Sequence, residues 1–182
     1  HLFPGDSILE VGAGSCQWTR EISEANGNRN PICAAVLDKD LYEKNSLDSF
    51  PENIERIHLD EFPGKLSDRR FNFIVGYQLL TDENAGVLLS ELKSLLKPGG
   101  QILFFDPNPW NPYYRIRRFV SKLFFFFKRT EKNESLNRID LFALLSEAGY
   151  IKIKILPYDF LFPPLPKILL WPMQNLSLIL EN

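Results

Sequence analysis

The chain has 182 residues, of which 45% are hydrophobic and 24% charged, and its formal net charge is −2. This length suits one domain with a sizeable core, and the composition is that of a soluble globular protein. The near-neutral charge gives no reason to expect nucleic-acid binding. Two cysteines argue against a disulfide scaffold and favour a reducing, cytoplasmic compartment. We expect no metal site, because no Cys/His cluster has the spacing of metal ligands, and no membrane span or signal peptide.

Apolar runs of strand length alternate with helical patterns, which predicts an open, mostly parallel sheet with helices on both faces. The predicted strands are residues 7–11, 32–37, 55–59, 71–77, 101–105 and 150–156. The predicted helices are residues 18–25, 41–49, 83–96 and 140–148, with a further short helix at 173–181. The Pro98-Gly99-Gly100 turn is expected to end the helix at 83–96. We expect one domain over residues 1–182.

The first predicted strand ends in a glycine turn, Gly12-Ala13-Gly14, with the carboxylate of Glu10 two residues before it. Glycines let the backbone turn sharply and approach a ligand, and the following helix offers free N–H groups. A dinucleotide fingerprint would need a third glycine at the position of Gln17, and a negative side chain would repel a pyrophosphate. Glu10 instead suits a ligand with a positively charged part. A plain strand-to-helix turn is the alternative interpretation of this motif taken alone.

Carboxylates also follow the next two predicted strands. Asp38 follows the second strand and Asp60-Glu61 the third. Ligands of open parallel sheets bind beyond the carboxyl ends of the strands, and an acid about 20 residues beyond the glycine turn can bind ribose hydroxyls. Asp38 has this spacing, and Asp60 is placed to accept a hydrogen bond from the exocyclic amine of a base. Each carboxylate alone is better explained as a solvated strand-end residue, but the three in this order favour a nucleoside-containing ligand.

With these motifs the chain resembles the class I S-adenosylmethionine-dependent methyltransferases, and is most similar to the bacterial small-molecule group that contains quinone-biosynthesis methyltransferases. The matching stretches are ILEVGAG at 8–14, VLD at 36–38, LDEFP at 59–63, FNFIV at 71–75 and LLKPGGQIL at 95–103. They occur in the family's order within residues 3–158. The resemblance implies a Rossmann-like sheet, S-adenosylmethionine as cofactor, and methyl transfer to a small-molecule or lipid-linked acceptor. As a departure from the family, we expect this sequence to lack the usual N-terminal helices and the last strand.

The resemblance also implies a cofactor site of nine residues: Glu10, Gly12, Ala13, Gly14, Asp38, Lys39, Asp60, Glu61 and Tyr77. Glu10 would lie near the methionine part of the cofactor, with the glycine turn against it. Asp38 would bind the ribose, with Lys39 beside the adenine, and Asp60 would bind the adenine amine. Tyr77, after the fourth strand, would face the methyl group and the substrate.

Two residues depart from the family pattern. Cys16 stands where the family often has a third glycine, and its bulk is expected to tighten the turn. Asn72 replaces the aspartate that usually precedes the fourth strand, a position that is normally structural. No general base is assigned, because Asp106, Tyr77 and His58 qualify by residue type alone, and His58 lies inside a predicted strand.

Residues 106–137 are predicted to form a substrate cap inserted within the domain. The stretch begins with Asp106-Pro107-Asn108-Pro109-Trp110, which is similar to the Asp/Asn-Pro-Pro-Tyr motif of enzymes that methylate amino groups. That motif belongs after the fourth strand, whereas this stretch follows the fifth, so a proline-stiffened loop is the favoured interpretation. The predicted substrate-binding residues of the cap are Asp106, Asn108, Trp110 and Tyr113.

Between Tyr113 and Arg129, apolar and basic residues fall on two different faces of a predicted helix. Such a basic, aromatic-rich helix can lie in a membrane interface or cover a lipid-like substrate, which makes peripheral membrane contact a candidate property. The favoured alternative is a helix packed on the core with its basic face in water.

Three other functions are weighed against methyl transfer. The first is a catalytically inactive binding module that keeps the fold and associates with a membrane surface. A nicotinamide oxidoreductase is disfavoured by Glu10 and Gln17, and a nucleic-acid methyltransferase by the overall negative charge.

Overall fold

The computed structural model of the chain describes residues 2–44, 49–60, 64–77, 79–81, 83–106 and 136–156. The chain divides into two compact units. The first consists of His1–Leu79 and Gly86–Asp106, and the second of Leu80–Ala85 and Pro107–Asn182. The predictions for residues 107–135, including the basic helix, and for the short helix at 173–181 lie outside the described residues. The single domain and its inserted cap therefore stay predictions.

The first unit is built on a five-stranded parallel sheet in the order β3-β2-β1-β4-β5. The strands are β1 (Ile8–Val11), β2 (Ile32–Val36), β3 (Ile54–His58), β4 (Phe71–Tyr77) and β5 (Leu96–Phe105). The chain winds outward from β1 to β3 and then crosses back to place β4 on the other side of β1. This reversal creates a switch point between β1 and β4, where the carboxyl ends of strands leave room for a ligand. The predicted open parallel α/β sheet is confirmed.

Successive residues of a strand point to opposite sides of the sheet, so apolar side chains occur on both faces and helices pack against both. The described α-helices that precede β5 are α1 (Gln17–Ala25) and α2 (Lys39–Lys44) of the first unit, and α3 (Ala85–Ser94), which belongs to that unit from Gly86 onward. One face buries Leu9 and Val11 in a cluster with Leu92 and Leu95, the residues of and just after α3. On the opposite face Ile8 and Ile32 pack with residues that include Ile22 of α1. Glu10 shares the orientation of Ile8, so its side chain points to the α1 side of the sheet.

The start of β5 differs from the sequence prediction. The Lys97-Pro98-Gly99-Gly100 stretch does not separate a helix from the strand: α3 ends at Ser94, and β5 already begins at Leu96. The stretch forms an irregularity in the pairing, since Phe71 pairs with Leu96 but Phe73 pairs with Gln101. It is held by Lys97, whose Nζ donates to Oδ1 of Asn72 at 2.8 Å. The same oxygen accepts from the backbone N–H and the hydroxyl of Ser7, both at 3.0 Å, so Asn72 has the structural role expected of this position.

The described part of the second unit contains the helix α4 (Arg138–Glu147). Asn137 caps it by accepting hydrogen bonds from the backbone N–H groups of Ile139 and Asp140, as the preference for Asn at this position predicts. The predicted strand at 150–156 is wrong, because these residues are described and none belongs to a strand. Lys152 adopts a positive φ of 57°, which interrupts the extended run that its alternating pattern predicts.

Helix length also bears on membrane association. Within the described residues, no helix is long and apolar enough to cross a membrane. The longest described helices, α3 and α4, have ten residues each, and a bilayer requires about 20 apolar residues.

Candidate functional site

The turn between β1 and α1 is shaped by residues with positive φ angles. Gly12 has a φ of +74° and Gly14 a φ of +50°, a conformation that favours glycine. The backbone N–H groups of Gly12 and Ala13 both donate to the carbonyl of Ala35 on β2, each at 3.0 Å. A Cβ atom at Gly12 would lie 3.5 Å from Cδ1 of Leu79, in ordinary contact, so backbone conformation rather than lack of space calls for glycine here.

Cys16 is the N-cap of α1 and has a φ of 59°. Its side chain is fully buried in a small cluster with Ala13, Ala34 and Val36. The position therefore has the backbone conformation of a glycine but carries a buried thiol, whose pKa is raised mainly by burial. The strain of a left-handed conformation in an L-residue costs about 1–2 kcal/mol.

Glu10 lies at the end of β1 and is only 6% exposed. Its Oε2 accepts a short hydrogen bond of 2.6 Å from the hydroxyl of Thr19 on α1. Burial raises the pKa of Glu10, and the hydrogen bond from Thr19 opposes this effect. No lysine, arginine or histidine among the described residues forms an ion pair with Glu10. The result is a desolvated carboxylate beside the glycine turn that a cationic ligand group would stabilise.

Asp38 follows β2 and caps α2. Its Oδ1 accepts a hydrogen bond of 2.9 Å from the backbone N–H of Leu41, and its carbonyl accepts one of 3.0 Å from the N–H of Tyr42. Cap geometry thus fixes the orientation of an exposed carboxylate whose second oxygen is available to a ligand. The neighbouring Lys39 pairs along the helix with Glu43 at 3.9 Å, with both side chains exposed.

Asp60 follows β3, and its side chain is 80% exposed. The Oδ1 atom of Asp60 lies 3.1 Å from Nδ1 of His58, the last residue of β3. A cavity of about 220 Å³ is lined by His58, Leu59, Asp60, Gly64 and Lys65. Asp60 therefore faces a cavity at the edge of the sheet and has one neighbouring side chain to orient it.

Three aromatic rings meet at the carboxyl ends of β4 and β5. The ring of Trp18, on the first turn of α1, lies 5.4 Å from the ring of Tyr77 and 5.5 Å from that of Phe105. Trp18 and Tyr77 are both about half exposed. Tyr77 and Phe105 pair across the two strands, so Asp106 also lies at this edge. We call Trp18, Tyr77 and Phe105 the aromatic cluster.

The sheet thus gathers most of the predicted site residues at one edge, the carboxyl ends of its parallel strands. The exceptions are Glu61, Asn108, Trp110 and Tyr113, which lie outside the described residues. Sequence reasoning missed Thr19 and Trp18. A signal was present for Trp18, an aromatic residue on the first turn after the glycines, but nothing local marks Thr19 as the partner of Glu10.

Comparisons with known proteins agree with this geometry. No model of a known protein family matches the chain. The chain is similar to a demethylmenaquinone methyltransferase from Staphylococcus haemolyticus, with 26% identity over 175 residues that cover 85% of this chain and 72% of the relative. A TehB-like SAM-dependent methyltransferase from Corynebacterium glutamicum superposes with a TM-score of 0.55 at 16% identity, covering 81% of this chain and 67% of that one.

Human N-acetylserotonin methyltransferase, solved in complex with SAM, superposes with a TM-score of 0.62 at 18% identity, covering 85% of this chain and 44% of the human one. The two structural likenesses concern the fold, whereas the bacterial relative matches in sequence. Together with Glu10 at the end of β1 and the carboxylates that follow β2 and β3, these similarities support a class I S-adenosylmethionine-dependent methyltransferase, similar to the enzymes of quinone biosynthesis.

Proposed function

We propose that the chain binds S-adenosylmethionine along the carboxyl edge of its sheet and transfers the methyl group to a planar small-molecule or lipid-linked acceptor. The observation that carries this proposal is Glu10, a buried carboxylate beside the glycine turn without a cationic partner among the described residues. A ligand with an ammonium and a sulfonium group compensates the desolvated charge, whereas a pyrophosphate would add a second negative charge.

The nucleoside part of the cofactor has two candidate partners along the same edge. Asp38 keeps one carboxylate oxygen on the cap of α2, so the other can accept from a ribose hydroxyl. Asp60 borders the cavity of about 220 Å³ and can accept from the adenine amine. The order of the three acids on neighbouring strands matches the order of the methionine, ribose and adenine parts of the molecule.

The acceptor side of the site is proposed to be the aromatic cluster. Its half-exposed rings favour a flat, apolar acceptor, because stacked or edge-to-face rings contribute about 0.5–1.5 kcal/mol beyond the burial of apolar area. A quinone-like ring has this shape, and the bacterial relative is named for a demethylated menaquinone. Asp106, which follows β5, would also lie on this side. The substrate-binding role of Asn108, Trp110 and Tyr113 stays a prediction from the sequence.

The cofactor supplies an activated methyl group on its sulfonium, and the chain supplies position and environment. Glu10 orients the methionine part, and its burial keeps water away from the charged end. The acceptor, held against Tyr77 and Trp18, is aligned for an in-line displacement. This division of roles needs no nucleophilic side chain.

Calorimetric titration of the full chain with S-adenosylmethionine tests the cofactor assignment. We expect saturable binding that weakens about tenfold or more in Asp38→Ala, since a hydrogen bond to a charged group contributes about 1.5–3 kcal/mol. Asp68→Asn, an exposed acid in the loop before β4, is the matched control and should bind like the wild type. No binding by the folded wild type, or unchanged affinity in Asp38→Ala, would defeat the assignment.

A second measurement tests transfer. Incubation with methyl-labelled cofactor and a demethylated naphthoquinone, kept in its reduced hydroquinone form by dithionite, is expected to label the ring. The reduced ring is the nucleophile, and the proton that the methyl group replaces passes to solvent. Binding of the cofactor without label on the quinone or on any other acceptor offered would favour the inactive binding module. In that case liposome binding that is lost on charge reversal at Arg115, Arg118 and Lys122 would support the membrane-surface form of that alternative.

A further inference from the structure

His58 contacts both of the outer carboxylate-bearing segments. Its Nδ1 atom lies 3.1 Å from Oδ1 of Asp60. Its ring lies 5.5 Å from the ring of Tyr42 on α2. The N–H of Tyr42 in turn donates to the carbonyl of Asp38, which caps that helix. The side chain of His58 is only 15% exposed, although it ends an edge strand.

The surroundings of this imidazole indicate which of its two nitrogens carries the proton. Nε2 is buried and has no hydrogen-bond partner among the described residues. A proton on Nε2 would leave a buried donor unsatisfied, whereas an N–H group at Nδ1 can donate a hydrogen bond to the Asp60 carboxylate. The Nδ1–H form is therefore the one that this environment favours. In this form the Nδ1–H group of His58 donates to Oδ1 of Asp60, whose side chain is otherwise exposed.

The packing between α2 and β3 does not depend on His58 alone. Arg56, two residues earlier on the same face of β3, donates from Nη2 to the carbonyl of Tyr42 at 2.7 Å. Its guanidinium also lies 4.9 Å from the centre of the Tyr42 ring. Arg56 thus joins α2 to β3 independently of His58, and the hydrogen bond between His58 and Asp60 is not part of that packing.

We propose that His58 is a positioning residue for purine specificity. By occupying Oδ1 of Asp60, it holds the carboxylate so that Oδ2 is directed at the exocyclic amine of adenine. The oriented carboxylate favours adenine over a purine with an oxygen at the same position, because that oxygen cannot donate. This inference rests on the proposed binding of S-adenosylmethionine and extends it to the selection of the base.

Two substitutions separate the hydrogen bond from the ring. His58→Phe keeps an aromatic ring against Tyr42 but removes the donor. His58→Asn loses the ring but has an amide nitrogen near the position of Nδ1, and so keeps the donor. If His58→Phe does not fold, as judged by circular dichroism, His58→Gln replaces it, because its amide reaches the position of Nε2 instead.

Calorimetry with two ligands provides the readout. The affinity of the full chain for S-adenosylhomocysteine is divided by its affinity for S-inosylhomocysteine, which carries an oxygen in place of the amine. We expect this ratio to fall about fivefold or more in His58→Phe, as in Asp60→Asn, and to recover in His58→Asn. These changes correspond to the loss of about one hydrogen bond.

Two outcomes would count against the proposal. An unchanged ratio in His58→Phe would overturn it, whether both affinities stay at their wild-type values or fall by the same factor, since an equal fall indicates only a structural role. A ratio in His58→Asn as low as in His58→Phe would assign the effect to the ring and also overturn it. A wild-type chain that binds neither ligand would instead refute the proposed function, so the two failures are distinguishable.

Discussion

The acids at the carboxyl ends of the strands differ in their environment between the central strand β1, which we call the inner edge, and the strands β2 and β3, the outer edge. Glu10, on the central strand, is 6% exposed and is held by Thr19 from the helix above it. Asp60, on the edge strand, has an 80% exposed side chain. Asp38 lies between them in sheet order and is also exposed. Carboxylate side chains thus occur in two dielectric environments along the carboxyl ends of the strands.

This difference indicates how each acid contributes to binding. A buried carboxylate interacts strongly with a cation, but the protein carries the desolvation penalty before the ligand arrives. An exposed carboxylate carries little penalty, but solvent weakens its interactions unless a neighbour fixes its direction. A helix cap fixes Asp38, and His58 lies beside Asp60. We expect the inner acid to supply most of the affinity and the outer acids to select the nucleoside.

The largest expected effect is on cofactor affinity in Glu10→Gln. The amide keeps an oxygen that can accept from Thr19, but it removes the charge that we propose faces the ammonium group of the cofactor. We expect affinity for S-adenosylmethionine to fall about 10- to 100-fold, since hydrogen bonds to charged groups contribute about 1.5–3 kcal/mol. Glu24→Gln, at an exposed position on α1, is the control for calorimetry. Equal affinities in the two variants would remove the distinction between inner and outer acids.

The same variant should have the opposite effect on stability. Burial raises the pKa of Glu10 above its ordinary value of 4.5, so the folded state holds this proton more tightly than the unfolded chain does. Stability from this group is therefore greatest below pH 4.5 and is lost as pH rises through the folded pKa. Urea unfolding without cofactor should find Glu10→Gln more stable than the wild type at pH 7, by a margin that shrinks at pH 4. A margin independent of pH would contradict this account.

At the outer edge, two substitutions of Asp38 should separate stability from binding. Asp38→Ala removes the cap of α2, which costs about 1 kcal/mol, and also removes the ribose acceptor. Asp38→Asn keeps a good capping residue but loses the charge. Unfolding of the asparagine variant should match the wild type, while its affinity for S-adenosylmethionine should fall by roughly tenfold. If the asparagine variant binds as tightly as the wild type, the role of Asp38 is limited to capping.

The outline of this edge could be predicted from local sequence patterns. Buried strands with turn residues after them predicted β4 at its observed bounds. Because Glu10, Asp38 and Asp60 each lie at or just after the end of a predicted parallel strand, the sequence also predicted that they share one edge of the sheet. The alternating pattern predicted a strand at 150–156 that the structure does not contain. This pattern gives no sign that Lys152 adopts a left-handed backbone conformation, which breaks an extended strand. Local patterns also gave no sign of the contacts of Glu10 with Thr19 or of His58 with Asp60. Those contacts depend on how side chains meet once strands and helices have packed.

The smallest expected effect concerns Cys16, which lies next to the inner edge. The test measures the strain of its left-handed backbone rather than the effect of a charge. At φ 59° a glycine avoids the strain that any L-residue carries. Cys16→Ala loses the buried sulfur but keeps the strain, whereas Cys16→Gly loses slightly more volume but relieves the strain. We therefore expect the glycine variant to be about 1 kcal/mol more stable than the alanine variant in urea unfolding.

The control is the same pair of substitutions at Glu21, an exposed position in the middle of α1. There glycine should be about 1 kcal/mol less stable than alanine, because alanine favours and glycine disfavours a helix interior. Opposite orders at the two positions would show that the turn before α1 requires a left-handed residue. The same order at both would mean that the turn relaxes without cost, and the inner edge would then be constrained by the burial of Glu10 alone.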